Sequence, residues 1–123
     1  MTIRLRIIQV APKGGPIERV KAESPKGYYD HDPMTAELTT EEVIRFIDNK
    51  NLNLWTDVLF YTEVEGTSEP VEVTKYKGKF IKSIQNDTKE DNLLSLPPIS
   101  NLGDWEVPLN FEGLKNWIQR QLP

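Results

Sequence analysis

The sequence predicts an α+β domain: a small antiparallel sheet of about five strands, with one helix packed on it and a C-terminal helix. Three observations lead to this prediction. Short runs of β-branched or alternating residues recur between turn signals rich in Gly and Pro, which is typical of strands joined by hairpins. A Thr-capped stretch at Thr39–Asp48 has helical spacing, and a second stretch with helical spacing follows Asn110.

The N-terminal part of the chain is predicted to form a hairpin followed by a loop. Ile3–Ala11 is rich in β-branched residues and is predicted to be a strand. The turn Pro12–Pro16 has Pro or Gly at four of its five positions, and a second strand, Ile17–Glu23, follows it. Ser24–Ala36 contains two prolines and one glycine and is predicted to be a loop.

The first helix is predicted from about Thr40 to Asp48. Thr39 and Glu42 have the spacing of a capping box, in which each side chain accepts a hydrogen bond from the backbone N–H of the other residue. The apolar residues that follow recur at helical spacing and predict a buried face. These residues are Val43, Ile44, Phe46 and Ile47.

Three further strands are predicted in the middle of the chain. Asp57–Glu65 alternates between two sets of side chains, as expected of a half-buried strand. Val71–Tyr76 and Lys79–Ile84 flank a Lys-Gly pair at 77–78, which is a strong signal for a β-hairpin. These segments bring the predicted count to five strands.

A closing helix is predicted after Asn110, whose side chain can cap it. Its apolar stripe could pack on the sheet of the same chain or on another subunit; the stripe comprises Phe111, Leu114, Trp117 and Ile118. No internal repeat or long linker divides the sequence. Residues 1–123 are therefore interpreted as one domain, with a core at 1–99 and a helical extension at 100–123.

Composition excludes several classes of function. Without cysteine the chain has no disulfide, thiolate nucleophile or Cys-based metal site. A net charge of −4 argues against binding of long nucleic acid, although residues 1–23 carry +3 (five cations against two carboxylates) and can present a basic surface to a small anion. The sequence shows no signal-peptide pattern or membrane-spanning run, so we expect a cytoplasmic protein without a membrane partner.

Signals for catalysis are weak. His31 is the single histidine, and the flanking Asp30 and Asp32 could orient it as a base or a ligand, but an Asp-His-Asp-Pro loop is more often a solvated turn. The sequence lacks a Gly-x-Ser-x-Gly elbow, a P-loop and a dinucleotide glycine fingerprint. We therefore expect no catalytic residue, no metal and no cofactor, and keep a small hydrolase using His31 as a third hypothesis.

The segment Asp91–Pro97 allows two interpretations. In the first, its leucines fill the core while Asp91 and Asn92 hydrogen-bond the backbone around a turn. In the second, Asn92 reads a base edge or a ribose hydroxyl, because an amide offers both donors and an acceptor. Lys82 on the preceding strand then supplies a cation, and Phe80 supplies an aromatic surface on which a base can stack.

The layout of residues 3–99 resembles a widespread family of small bacterial and phage domains of unknown function. Its members open with a strand hairpin, continue with a capped helix, and close on an aromatic-Ile-Arg/Lys-Ser/Thr strand that leads into Asp-Asn-Leu-Leu-x-Leu-Pro. Here the closing signature is Phe80–Ser83 and Asp91–Pro97. There are departures: Lys82 stands where an arginine is common, and Asn86-Asp87 replaces an Asp-Gly turn.

The best-understood branch that the chain resembles is the Thoeris anti-defence sponge of the first-described type. These phage proteins bind the cyclic ADP-ribose isomers made by bacterial TIR enzymes and sequester them without cleavage. Some members assemble as hexamers and bind cyclic trinucleotides at separate sites. The resemblance thus implies a cyclic nucleotide signalling molecule as partner, a homo-oligomer (dimer or hexamer), and action in the host cytoplasm.

Under this resemblance, Asn92 with Asp91 would fix a base or ribose, Phe80 would stack, and Lys82 would meet a pyrophosphate. Three arginines are added on charge alone as further candidates for the pyrophosphate, with a solvated strand face as their alternative: Arg4, Arg6 and Arg19. The competing hypothesis is a structural or protein-interaction domain with no small-molecule site, in which the segment Asp91–Pro97 only closes the core.

Overall fold

The computed structural model describes residues 2–12, 16–24, 34–48, 52, 54, 56–63, 71–76, 80–83, 93, 96–99 and 107–121. The strands are β1 (Ile3–Ala11), β2 (Arg19–Glu23), β3 (Thr35–Thr39), β4 (Val58–Thr62), β5 (Val71–Tyr76) and β6 (Phe80–Ser83). The helices are α1 (Thr40–Asp48) and α2 (Phe111–Gln119). The predicted turn centres at 13–15 and 77–78 lie outside the described residues.

The strands form one sheet in the order β3-β2-β1-β4-β5-β6, and both helices are present, so the predicted α+β class is confirmed. The sheet is mixed, because β1 pairs in parallel with β4 while the other named strand pairs are antiparallel. Parallel strands need a long crossover connection, usually one that contains a helix. Here the chain leaves β1 through β2 and β3 and returns through α1, which allows the parallel pair.

The described sheet has six strands, and the one that the sequence did not predict is β3. Its residues, Thr35–Thr39, were divided between the predicted loop Ser24–Ala36 and the helix cap. Ala36 and Leu38 are buried in β3 while the alternate residues are not, but five residues are too few for this pattern to stand out. Of the predicted loop, residues 25–33 lie outside the described residues.

Helix α1 begins with the predicted capping box. The backbone N–H of Thr39 donates to Oε1 of Glu42 at 2.9 Å, and the backbone N–H of Glu42 donates to Oγ1 of Thr39 at 3.1 Å. Val43 and Phe46 are fully buried and join the side chains of the sheet in one core, where the Phe46 and Phe60 rings lie 6.3 Å apart. Because α1 covers this face, the opposite face of the sheet carries the polar residues.

Helix α2 packs within the same chain. Oδ1 of Asn110 accepts from the backbone N–H of Gly113 at 2.8 Å, as the predicted cap requires. The apolar stripe of α2 is buried, and the Phe111 ring lies 4.8 Å from that of Phe46 on α1. Just before α2, Leu109 extends the sheet at β3: its N–H donates to the carbonyl of Thr35 at 2.8 Å.

In the part of the chain that the structure describes, no helix has the length and apolar character needed to cross a membrane. Each of the two named helices has nine residues, whereas a membrane span needs about twenty.

We predict that Asn110→Ala lowers the free energy of unfolding by about 1 kcal/mol, because the first turn of α2 loses its capping acceptor. Asn110→Asp is the matched control, since a carboxylate can still accept from the Gly113 N–H. Urea unfolding followed by circular dichroism measures both variants. Equal stability of Asn110→Ala and the wild type would show that the cap contributes nothing.

Candidate functional site

The candidate site lies on the face of the sheet opposite α1, called here the polar face. On each strand the polar-face residues alternate with residues that face the core, and the register of the pairs carries this alternation from strand to strand. The described polar-face residues comprise Arg4, Arg6, Arg19, Lys21, Glu23, Thr35, Glu37, Thr39, Leu59, Tyr61, Glu63, Glu72 and Thr74.

Arg6 ties three strands together at the centre of the polar face. Its guanidinium forms ion pairs with Glu23 on β2 and with Glu63 at the end of β4, the latter with Nη1 3.2 Å from Oε2. The hydrogen bond with Glu23, supported by the charges of both carboxylates and opposed by burial, raises the pKa of Arg6 above its ordinary value. The positive charge of Arg6 is therefore already balanced by the protein.

The other two arginines predicted from charge lie on the same face. Arg19 on β2 forms an ion pair with Glu37 of β3, and its side chain is 56% exposed. Arg4 on β1 is exposed, and its register partner on β4 is Leu59. The structure thus brings Arg4, Arg6 and Arg19 to one face, with Arg6 and Arg19 in ion pairs across strands.

The polar face mixes cations and carboxylates among the residues that the structure describes. Four cations (Arg4, Arg6, Arg19 and Lys21) and four carboxylates (Glu23, Glu37, Glu63 and Glu72) lie on this face, and the register of β6 adds the position of Lys82. β3, β4 and β5 thus bring carboxylates beside the cations of β1 and β2. This mixed surface offers both donors for anions and acceptors for hydroxyl groups.

The closing signature begins on the last strand of the sheet. Lys82 is the register partner of Thr74, and Phe80 is the register partner of Tyr76. In β6, Phe80 and Lys82 alternate with Ile81, which is buried. By register, the sequence-predicted residues Phe80 and Lys82 therefore hold polar-face positions of the last strand.

The second half of the signature is anchored in the fold. Leu93 is 0% exposed and lies in the core, and Leu96 is partly buried against it. Asp91, Asn92 and Leu94 lie outside the described residues. The expectation that the signature leucines fill the core is therefore confirmed for Leu93 and, in part, for Leu96.

The chain that follows the signature pairs with β1. The N–H of Val10 donates to the carbonyl of Pro97 at 3.0 Å, and the N–H of Ile99 donates to the carbonyl of Val10 at 3.1 Å. This bridge is parallel, like the pairing of β4 with residues 3–6 of β1. The carbonyl of Ala11 accepts from the N–H of Glu18 on the side of β2, so the N–H and carbonyl of the preceding residue, Val10, point to the side of β4. Residues 97–99 therefore pair with β1 beyond the residues that β4 covers.

Tyr61 is a polar-face residue that the sequence reasoning did not propose for the site. It lies between Arg6 on β1 and Glu72 on β5 in the register and is half-buried. Burial raises the pKa of Tyr61 above its ordinary value; the charge of Glu63 adds to this shift, and that of Arg6 opposes it. Tyr61 therefore presents a neutral phenol, and the alternation within Asp57–Glu65 was the signal that could have identified it.

The described residues contain neither the histidine nor a candidate metal site. His31 and its flanking carboxylates lie outside the described residues. Within the described ranges, no group of three or more His, Asp or Glu residues is placed to hold a metal ion. The hypothesis of a hydrolase that uses His31 stays a prediction.

We predict that Leu93→Ala lowers the free energy of unfolding by about 2–5 kcal/mol, because it leaves a cavity in the core. Leu96→Ala is the matched control and costs less, since Leu96 is only partly buried. Chemical denaturation of both variants gives the comparison. A loss for Leu93→Ala no larger than that for Leu96→Ala would contradict the anchoring role of Leu93.

We predict that Tyr61→Phe reduces the loss of stability at alkaline pH. The raised pKa means that the folded state keeps the phenol proton where the unfolded chain loses it. The free energy of unfolding therefore falls as the pH rises above about 10, and the variant lacks this contribution. Urea unfolding of both proteins between about pH 7 and about pH 11 tests this; parallel pH profiles would refute it.

Comparison with known proteins places this architecture in a family. The family model for a protein of unknown function (DUF3892) matches residues 4–97, which run from β1 to the end of the signature. No curated protein matches the chain, and no solved structure matches it. Because the matched region covers well over half of the 123 residues, the chain belongs to the DUF3892 family.

Proposed function

We propose that the protein binds a cyclic nucleotide signal in the cytoplasm and sequesters it without cleaving it. The first ligand class is the cyclic ADP-ribose isomers, and cyclic trinucleotides are the second. The proposal rests on the resemblance of Phe80–Ser83 and Asp91–Pro97 to the anti-defence sponges, and on the way in which these segments are held in the fold. Membership of the DUF3892 family leaves the function open.

The observation that carries the proposal is the anchoring of the signature on both sides of Asp91 and Asn92. Before them, β6 is paired with β5. After them, Leu93 is buried and residues 97–99 are hydrogen-bonded to β1. A binding group works best when the structure around it is already fixed, because less conformational entropy is lost on binding. The described residues on the two sides of this segment are fixed in this way.

The chemistry of the polar face supports a nucleotide rather than a polyanion. Cations can meet phosphates, and carboxylates such as Glu72 can accept from ribose hydroxyls. Long nucleic acid is held mainly by neutralised phosphates, which a face whose described cations lie beside carboxylates does not favour. A compact ligand with few phosphates and several hydroxyls suits this mixture.

The proposal includes a homo-oligomer, either a dimer or a hexamer. Small-molecule sites usually enclose most of the surface of their ligand. Arg4, Arg19 and Glu72 are exposed on the polar face, so a second copy of the chain would supply the remaining enclosure. We assign no catalytic residue, because a sponge releases its ligand unchanged.

The second candidate is a structural or protein-interaction domain without a small-molecule site. The burial of Leu93 and the hydrogen bonds of residues 97–99 favour it, since both are explained by closure of the core alone. Under this candidate Asn92 contributes to stability and to nothing else.

We predict that cyclic ADP-ribose isomers raise the melting temperature of the wild-type protein and that Asn92→Ala abolishes this rise. A ligand at one hundred times its Kd stabilises the folded state by about 2.7 kcal/mol, which a thermal-shift assay resolves easily. Asn110→Ala is the matched control, because it loses a helix cap and not a ligand contact. Size-exclusion chromatography on the same sample gives the oligomeric state.

Recovery of the ligand completes the test. The bound nucleotide should be released intact when the complex is denatured, as judged by mass spectrometry. A linearised or cleaved product would refute sequestration. No shift with cyclic ADP-ribose isomers or with cyclic di- and trinucleotides would favour the second candidate instead.

A further inference from the structure

One row of polar-face residues crosses five strands of the sheet. From β3 to β5 the row runs through Thr35, Glu23, Arg6, Tyr61 and Glu72, and each neighbouring pair is a register pair. It is called here the tyrosine row. Register partners in an antiparallel pair have Cβ atoms about 4.5–5.5 Å apart, so their side chains can contact adjoining groups of one ligand. The row therefore fixes which groups a ligand on this face meets together.

Tyr61 is the aromatic residue of the tyrosine row. Among the polar-face side chains that the structure describes, it is also the one aromatic ring, and it is half-buried, so part of the ring is open to solvent. An aromatic ring on a protein surface is a stacking platform for a nucleic-acid base of any kind. Because burial raises the pKa of Tyr61, the phenol is neutral at neutral pH and does not repel an anionic nucleotide. Tyr61 can therefore receive the base of a nucleotide.

An ion pair holds the surroundings of Tyr61 in place. Arg6 stands beside Tyr61 on β1, and Glu63 lies two residues further along the chain on the same face. Nη1 of Arg6 lies 3.2 Å from Oε2 of Glu63, and Glu23 on β2 pairs with the same guanidinium. Two of the positions around the ring are thus occupied by groups that are fixed to each other. A surface that is already fixed loses little conformational entropy when a ligand binds.

Glu72 lies on the other side of Tyr61. It is exposed on β5 and is the register partner of Tyr61 in an antiparallel pair. A carboxylate accepts hydrogen bonds through both of its oxygens, which matches the neighbouring hydroxyls of a ribose. Its negative charge repels a phosphate at the same point. Glu72 therefore favours the sugar of a nucleotide over its phosphates at this end of the row.

A nucleoside joins its base to its ribose through a single bond, so two residues that bind these parts must stand side by side, as Tyr61 and Glu72 do. We propose that Tyr61 and Glu72 form the nucleoside-binding pair of the polar face, with the base stacked on the ring of Tyr61 and the ribose hydroxyls donating to the carboxylate of Glu72. Tyr61 is thus a stacking residue in addition to Phe80, which the sequence predicted. As the location of a cyclic nucleotide's nucleoside, this inference rests on the proposed function; as a site for a free nucleoside, it does not.

The test removes the ring, the phenol oxygen and the carboxylate separately. Tyr61→Leu should weaken binding of a cyclic ADP-ribose isomer about tenfold or more, because the stacking surface is lost. Tyr61→Phe keeps the ring and should bind within about threefold of the wild type. Glu72→Ala should weaken binding about tenfold, because a charged acceptor is lost. Glu112→Ala, which removes an exposed carboxylate from α2, is the matched control and should leave Kd unchanged. Isothermal titration calorimetry measures Kd, and circular dichroism confirms folding of every variant.

The ring current of Tyr61 gives a readout that a purely structural role would not move. Protons of a base that stacks on an aromatic ring shift upfield in the NMR spectrum. The base protons of the bound ligand should shift in the wild type and in Tyr61→Phe, and should shift less in Tyr61→Leu. Equal shifts and equal Kd in Tyr61→Leu and the wild type would overturn the role of Tyr61. A Kd that Glu72→Ala changes no more than Glu112→Ala would overturn the role of Glu72.

Titration with adenosine separates this inference from the proposed function. Adenosine binding that Tyr61→Leu and Glu72→Ala both weaken supports the pair even if no cyclic nucleotide binds. Cyclic nucleotide binding that survives both variants overturns the pair and leaves the proposed function standing. A wild-type protein that binds neither probe overturns both.

Discussion

The architecture depends on the hydrogen-bonding requirement of β1, an interior strand of the sheet. Its backbone donors and acceptors are buried and need partners along both edges. On one side β2 runs along most of the strand, but on the other β4 covers only residues 3–6. Residues 97–99 supply the missing partner at Val10. The position of the signature is therefore tied to the backbone of the central strand, and not only to the packing of its leucines.

The same strand arrangement explains why Arg6 and Arg19 of the basic N-terminal segment lie beside carboxylates. Antiparallel neighbours bring Glu23 beside Arg6 and Glu37 beside Arg19, and Glu63, the residue after β4, also pairs with Arg6. Ion pairs at exposed positions contribute little to stability, about 0–1 kcal/mol each. Their larger effect here is on recognition, because an anion that approaches Arg6 or Arg19 also meets the paired carboxylates.

Much of the fold could be predicted because its signals are local. Both helices carry caps within four residues of their first turns, and the predicted bounds of α1 agree with the structure. The strands β1 and β5 were predicted with their observed bounds for the same reason. The parallel pair and β3 were missed, since the first depends on contacts between distant parts of the chain and the second is only five residues long.

The site was harder to predict than the fold. Residue types identified Arg4, Arg6 and Arg19 as candidates, but Arg6 and Arg19 form ion pairs with residues of other strands, and no sequence spacing encodes those pairs. Tyr61 lies beside Arg6 only because β1 and β4 pair in parallel. The contributions of Asp91 and Asn92 remain predictions, since both lie outside the described residues.

The bridge between Leu109 and β3 covers part of an edge of the sheet. An uncovered edge strand is a template for pairing with other chains and hence for aggregation. Leu109 occupies that edge at Ala36, and α2 then adds four buried side chains to the shared core. Both features lie beyond residues 4–97, the region matched by the family model. The C-terminal segment thus acts as a built-in guard against edge-to-edge association, and a fragment cut to the matched region would lose that protection.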